Sequence, residues 1–213
     1  MADAMGDGKT PMASEVDGRM ARPREFDEEV VLDAAVQCFW AYGYEATSIK
    51  DLMERTGLTA ASLYNAYGDK RAMFRTALDH YIESSIGARI QRCEALPPRE
   101  AILLFFDDIL RRSLSDRERK GCMLVNSALE MAPHDPEFRE TIAVALTRIE
   151  SFFLASVERG QADGTITSSL PAVGLAQHLL GLLMGVRVLA RVRPERPLLA
   201  GAIGTGLAFL DGR

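Results

Sequence analysis

Apolar positions recur at helical spacing from residue 31 almost to the end of the chain, and nowhere does a segment alternate in the manner of a strand. Val31, Ala35, Cys38, Phe39 and Tyr42 mark a first helix. Asp27 is placed as its N-cap, Glu28 and Glu29 suit the positive end of its dipole, and Phe26 can pack on Val31 as a hydrophobic staple. Gly43 stops it. A second, shorter helix begins at Thr47 or Ser48, with Asp51 in register for a capping box and an apolar stripe of Ile49, Leu52 and Met53. After Thr56-Gly57-Leu58, Thr59 caps a third helix, "AASLYNAY", which Gly68 breaks. Asp69 then caps a long fourth helix toward Arg92, a rod of about 24 residues and roughly 36 Å.

From Pro97 the chain reads as further helices with clear punctuation. Pro97-Pro98 starts one through Leu103, Phe106 and Leu110, and the charged run "SDRERKG" separates it from "CMLVNSALEM". Asp135 caps and Pro136 opens a longer helix expected to end near Gly160, in the turn "GQADG". Two final helices, around 171–192 and 197–210, are dense in small and apolar residues. The reading is all-α: an N-terminal three-helix bundle with a helix-turn-helix, a long connecting helix and a C-terminal helical domain. Residues 1–21, rich in Gly, Asp, Ala and Ser, read as a disordered tail, 22–70 as the first domain and 71–213 as the second.

Composition changes this picture little. A net charge of −5 argues against a wholesale nucleic-acid coat but leaves room for a local footprint, including the arm Arg19, Arg22 and Arg24. Residues 19–75 hold eight basic and nine acidic groups, which also fits a plain packed bundle. Three cysteines are too few and too odd in number for a disulfide framework, and a reducing cytoplasm is the natural setting. No secretory signal is visible. The most apolar stretch, Leu170 to Ala190, is interrupted by Gln177, His178 and Arg187, so it is expected to be a buried helix rather than a membrane span.

Two short helices joined by Thr56-Gly57-Leu58 have the dimensions of a DNA-binding helix-turn-helix. With Leu63 and Tyr67 as the buried edge of the second, Ala61 and Asn65 lie opposite, flanked by Ser62 and Tyr64. Small side chains with one amide and one phenol can press into a major groove. Asn65 could pair with adenine, and Ala60 or Ala61 could meet a thymine methyl. Thr47, Ser48, Lys50, Thr59, Tyr64 and Lys70 are placed on the same side, most of them to touch phosphates.

The stretch from Arg24 to Ile82, above all "AYGYEATSIKDLMERTGLTAASLYNAYGDKRAMF", resembles the DNA-binding domain of the TetR/AcrR family of repressors. That resemblance implies a homodimer on palindromic operator DNA, released by a small-molecule effector that enters the C-terminal domain. One departure is Ala66, where the family often has a phosphate-contacting His. Family resemblance beyond residue 95 is looser and implies only an effector-binding and dimerisation domain. Dimerisation is expected through the last two helices, whose Gly174, Gly181, Gly185, Gly201, Gly204 and Gly206 allow close approach, although the same helices could form an internal core. Phe105, Phe106, Met123, Phe152 and Met184 are candidate pocket residues, and at helical spacing they also suit plain core.

Cys122 follows "RERKG", whose cations could favour a thiolate, and some members that share this "GC" helix start are thiol sensors; a free cysteine is also commonly a small buried hydrophobe. His80, His134 and His178 are scattered, so no metal site is expected, and no phosphate loop or nucleophile elbow points to a cofactor or an enzyme. An all-α enzyme and a helical adaptor without DNA affinity stand as the alternatives.

Overall fold

The computed structural model describes residues 26–212, and among them every regular element is helical. The expected tail and the Arg19, Arg22 and Arg24 arm lie outside the described residues. In chain order the elements are α1 (Glu28–Tyr42), α2 (Ile49–Thr56), α3 (Ala60–Tyr67), α4 (Lys70–Tyr81), α5 (Ala88–Glu94), α6 (Pro98–Ser115), α7 (Met123–Glu130), α8 (Pro136–Asp163), α9 (Ala172–Val192) and α10 (Arg196–Leu207). A short 3-10 turn, Ala208–Asp211, follows α10.

The first three helices start where the sequence signals place them. Asp27, Ser48 and Thr59 each accept a backbone N–H of the first turn, and Ser48 and Asp51 complete the reciprocal capping box. Val31, Ala35, Phe39, Leu52 and Leu63 share one buried cluster with Phe74, Ala77 and Leu78 of α4, and α4 packs on α1 and α3, which hold α2 between them in turn. Phe39 and Phe74 meet edge to face with centroids 4.9 Å apart.

Three expectations are corrected. The long fourth helix is not one uniform α-helix. α4 passes without a break into a π-helical segment, Ile82–Gly87, and then into α5. Hydrophobic spacing alone cannot distinguish that widened turn. α8 does not end near Gly160 but runs on to Asp163, where Gly164 takes the left-handed conformation that terminates it. Gly160 is instead a packing glycine, because a Cβ there would come within 2.6 Å of the Ile166 side chain. α9, expected to be buried, is so on one face only. Leu175, Leu179, Leu183 and Val186 bury, whereas Val173, Val188 and Val192 are exposed and Gly174, Gly181 and Gly185 face open space. By length and composition alone α9 could cross a bilayer; its buried face is packed on α8, α6 and α10.

The first bundle is tied to the rest by polar contacts as well as by α4. At the C-terminus of α7, the Glu130 carboxylate accepts the Tyr44 N–H at 3.1 Å and the Glu45 N–H at 2.9 Å, in the turn between α1 and α2. Gly43 opens that turn with φ +83°, and a Cβ there would lie 2.8 Å from a Glu130 oxygen, so both conformation and space require glycine. From the other side the Lys70 ammonium donates to the carbonyls of Tyr44 (3.0 Å) and Thr47 (3.1 Å). Arg71 and Arg75 at the start of α4 pair with Asp135 and Glu137 at the start of α8.

Charge-assisted hydrogen bonds contribute about 1.5–3 kcal/mol each, and partial exposure of Glu130 discounts them here. Glu130→Ala is expected to lower stability by about 1–2 kcal/mol, seen as a melting temperature several degrees below that of the parent. An unchanged melting curve would contradict the role given to this carboxylate.

Candidate nucleic-acid interface

The helix-turn-helix is α2, the turn Gly57-Leu58-Thr59, and α3. Gly57 takes the left-handed conformation (φ +73°, ψ +6°) that ends α2 and redirects the chain. Leu58 packs on the core, Leu63 is buried and Tyr67 is half-buried, so these residues fix which way α3 faces. What remains outward is the expected surface. Thr59, Ala61, Tyr64 and Asn65 are exposed, Tyr64 by 47%, and Ala60 and Ser62 are half-buried beside them. The surface is small in its first turn and carries one phenol and one amide farther on, and among the described residues no other element covers it. Such a face can enter a groove closely and still present hydrogen-bonding groups to base edges or phosphates.

Other candidates are occupied. The Thr47 side chain is buried, at 1% exposure, and its hydroxyl donates to the Gly43 carbonyl at 2.6 Å, so it is part of the α1–α2 turn and not a side chain offered to phosphate. Lys70 is likewise corrected: its ammonium binds carbonyls of that turn and lies over the Tyr44 ring, 4.4 Å from the centroid. Sequence spacing put Lys70 next to α3 but could not show that a local acceptor claims its charge. Ser48 is exposed, with its hydroxyl 2.5 Å from the Asp51 carboxylate. Lys50 is extended into solvent, 3.7 Å from Glu54, a spacing from which it can swing toward a phosphate. Ala66, where the family often carries His, is half-buried.

In the C-terminal domain the pocket candidates separate. Phe105, Phe106, Phe152 and Phe153 form one aromatic cluster with centroids 5.1–6.0 Å apart, and Met123 is fully buried. Phe106 and Met123 are core. Phe105 and Met184 line an internal cavity of about 20 Å³ beside Cys122, Tyr81, Arg89 and Arg187, room for a single water. Phe152 lines a separate open groove of about 610 Å³ against Glu83, Gln91 and Arg148.

Cys122 is buried, its sulfur 3.6 Å from the Tyr81 hydroxyl. Burial pushes the thiol up, but the Arg187 guanidinium, with hydrogen bonds from the Val125 amide, Tyr81 and Arg187, brings it below its ordinary value. The same burial, with the neighbouring sulfur, holds Tyr81 well above the ordinary phenol range. The responsible cation is therefore Arg187 of α9 and not the "RERKG" run. Within that run Lys120 pairs with Glu118 and donates to Gln37 of α1. Among the described residues no group of three or more His, Cys, Asp or Glu side chains could hold a metal.

Comparison with known proteins decides the class. Residues 31–77 match the family described as bacterial regulatory proteins, tetR family, and residues 98–203 match the tetracyclin repressor-like C-terminal domain. An HTH-type transcriptional regulator of Bacillus subtilis, YezE, is 33% identical over 90% of this chain and all of its own length. This chain belongs to the TetR family. The Escherichia coli HTH-type transcriptional repressor ComR is 30% identical over 87% of this chain and 90% of its own. Among solved structures, the TetR family regulator CifR in complex with a 26-base-pair operator superposes with a TM-score of 0.77 at 30% identity, covering 87% of this chain and 98% of that one. As a TetR family member the chain is a helix-turn-helix DNA-binding transcriptional regulator and not an enzyme.

Sequence reasoning missed Glu130 and Arg187. Arg187 had a signal, a cation inside an apolar run, whereas nothing in the sequence connects Glu130 to a turn 85 residues away. Asn65→Ala and Tyr64→Ala are each expected to weaken operator binding about ten-fold or more without lowering the melting temperature, one good base contact being about 1–3 kcal/mol. Fluorescence anisotropy with labelled operator measures it, and parent-like affinity for both variants would remove the outward face of α3 from DNA recognition.

Proposed function

We propose that this TetR family protein is a homodimeric repressor that binds a palindromic operator through α3 of each subunit and leaves it when a small molecule occupies the C-terminal domain. The observation that carries the reading is the exposed Thr59, Ala61, Tyr64 and Asn65 face, set by buried Leu63 and left uncovered by the other described residues. The similarity to CifR, solved with operator DNA, and to the repressor ComR supports it. Double-stranded DNA is the partner, Lys50 and Tyr64 reach its backbone, and the cytoplasm, where a bacterial chromosome lies, is the place of action. No cofactor is invoked.

The dimer is assigned to α9 and α10 on their open faces. Gly174, Gly181 and Gly185 of α9 and Gly201 and Gly204 of α10 have nothing within 4 Å of a built Cβ, and Val173, Val188 and Val192 are exposed around them. Gly206 differs: a Cβ there would meet Leu182 at 2.5 Å, so it serves the packing of α10 on α9 within one subunit. An exposed apolar face on two adjacent helices suits a four-helix interface between copies. A two-fold pair of α3 helices then matches successive major grooves about 34 Å apart. The domain division is taken at 70/71, at the start of α4, with the DNA-binding domain before it and the effector-binding and dimerisation domain after it.

A second reading concerns Cys122. The adjacent Arg187 guanidinium favours its thiolate, which supports a sensor of electrophiles or oxidants. Cys122→Ser is expected to abolish operator release by such reagents while leaving DNA affinity unchanged; release that persists in the variant assigns Cys122 to the core alone.

Sedimentation at micromolar concentration is expected to give twice the mass of the 213-residue chain, and Gly181→Glu with Gly185→Glu, pointing into open space in the single chain, to give the monomer and lose the operator. Operator affinity of the parent is expected to fall steeply with added salt, as phosphate contacts demand. A monomeric parent, or salt-independent binding, contradicts this function.

A further inference from the structure

A cleft of about 410 Å³ lies where α1, the long helix, α6 and α9 meet under the α6–α7 loop. Its size is within the range of small-molecule sites. Arg89, Arg112, Arg117, Lys120 and Arg187 line it, against the carboxylates Asp116 and Glu118. Behind them Asp108 neutralises part of the excess, accepting from Arg89 at 2.7 Å and Arg112 at 3.0 Å. Counting Asp108, five cations face three carboxylates. The cleft is cationic and partly walled from water, which strengthens its field.

Arg187 is the residue that needs explaining. It is only 7% exposed and has no carboxylate partner within 4 Å among the described residues. One terminal nitrogen donates to Ser113 Oγ at 3.0 Å and the other to the Gly121 carbonyl, but the buried Nε has no acceptor. A second orphaned donor lines the same cleft, the buried indole Nε1 of Trp40 on α1. Buried donors without acceptors are costly, and among the described residues Arg187 has no carboxylate counter-ion, only the Cys122 sulfur whose thiolate it favours. An anion with acceptor oxygens suits the cationic lining, and Arg187 Nε and the Trp40 indole N–H, both closed to solvent, would bond to it only by turning toward the cleft. The Trp40 and Tyr81 rings, 5.3 Å apart, supply apolar wall for its carbon skeleton.

We propose that this cleft binds a small organic carboxylate, headed by Arg187, and that this is the effector site. The proposal rests on the effector-release reading above for its regulatory meaning, though not for the binding itself. The walls of the cleft explain how occupancy reaches DNA. Trp40 belongs to the DNA-binding bundle, Tyr81 and Arg89 to the long helix, and Arg187 to a dimer helix. Lys120 bridges cleft and bundle, donating to Gln37 at 2.9 Å and lying over the Trp40 ring. A carboxylate that draws Lys120 and Trp40 inward acts on α1 directly and thereby on the spacing of the paired α3 helices.

Trp40 is the single tryptophan of the chain, so its emission reports the site. The full-length protein is titrated with sodium benzoate and sodium hexanoate, and in parallel with benzamide and hexanamide, at constant ionic strength. Saturable changes with the carboxylates, at least ten-fold weaker with the amides, are expected. Arg187→Gln should abolish them. Because that buried variant could misfold, Arg117→Gln on the exposed rim is the second test, expected to keep the melting temperature and weaken carboxylate binding several-fold. Operator release is read in the same samples by anisotropy of labelled promoter DNA. Carboxylate binding that leaves the operator bound supports the site and removes its role in release. Neutral compounds that release the operator while neither carboxylate binds, or binding indifferent to both substitutions, overturn the anion assignment and leave effector release intact.

Discussion

The turn between α1 and α2 is gripped by opposite charges from two different parts of the chain, and the polar attachment of the DNA-binding bundle to the rest depends on that grip. Its amides, at Tyr44 and Glu45, are bound by the Glu130 carboxylate at the end of α7. Its carbonyls, at Tyr44 and Thr47, are bound by the Lys70 ammonium at the start of α4. A turn of this kind leaves backbone groups without helical partners, and they must be satisfied from elsewhere. Here the satisfaction comes from both the long helix and the C-terminal domain, so the bundle cannot tilt without breaking charge-assisted bonds. Gly43 is what allows the carboxylate to come so close.

That arrangement ties recognition to regulation. Glu130 on the turn and Lys120 on Gln37 cross from the DNA-binding bundle to elements beyond α4, and Tyr81, the last residue of α4, packs against Trp40. All three approach one side of α1 or its C-terminal turn. The π-helical segment Ile82–Gly87 lies immediately beyond Tyr81 and just before Arg89, where the long helix leaves the bundle and enters the C-terminal domain. A shift at the cationic cleft therefore has a short path to α1, while the apolar packing of Phe39 on Phe74 keeps the bundle itself intact.

What the sequence made legible was local chemistry. Asp27, Ser48 and Thr59 announced three helix starts, and the spacing of Leu63 against Ala61 and Asn65 gave the outward face of α3, because caps and periodicity act over one or two turns. What stayed hidden was tertiary. Thr47 and Lys70 look like phosphate ligands until the Gly43, Tyr44 and Thr47 carbonyls are seen to claim them. Gly160 looks like a helix end until Ile166 is seen packed against it. Arg187 breaks an apolar run visibly, yet only the fold shows that it faces Cys122, Tyr81 and Ser113 and not solvent.

The central claim is that two copies of α3, held in fixed relation, read one face of a duplex together. Hydroxyl-radical footprinting of the promoter DNA with the full-length protein tests it most directly. Two equivalent protected half-sites related by a dyad, their centres about one helical turn or a small multiple of it apart, are the predicted result. A single asymmetric patch of protection, or protection spread evenly without regard to sequence, would contradict it.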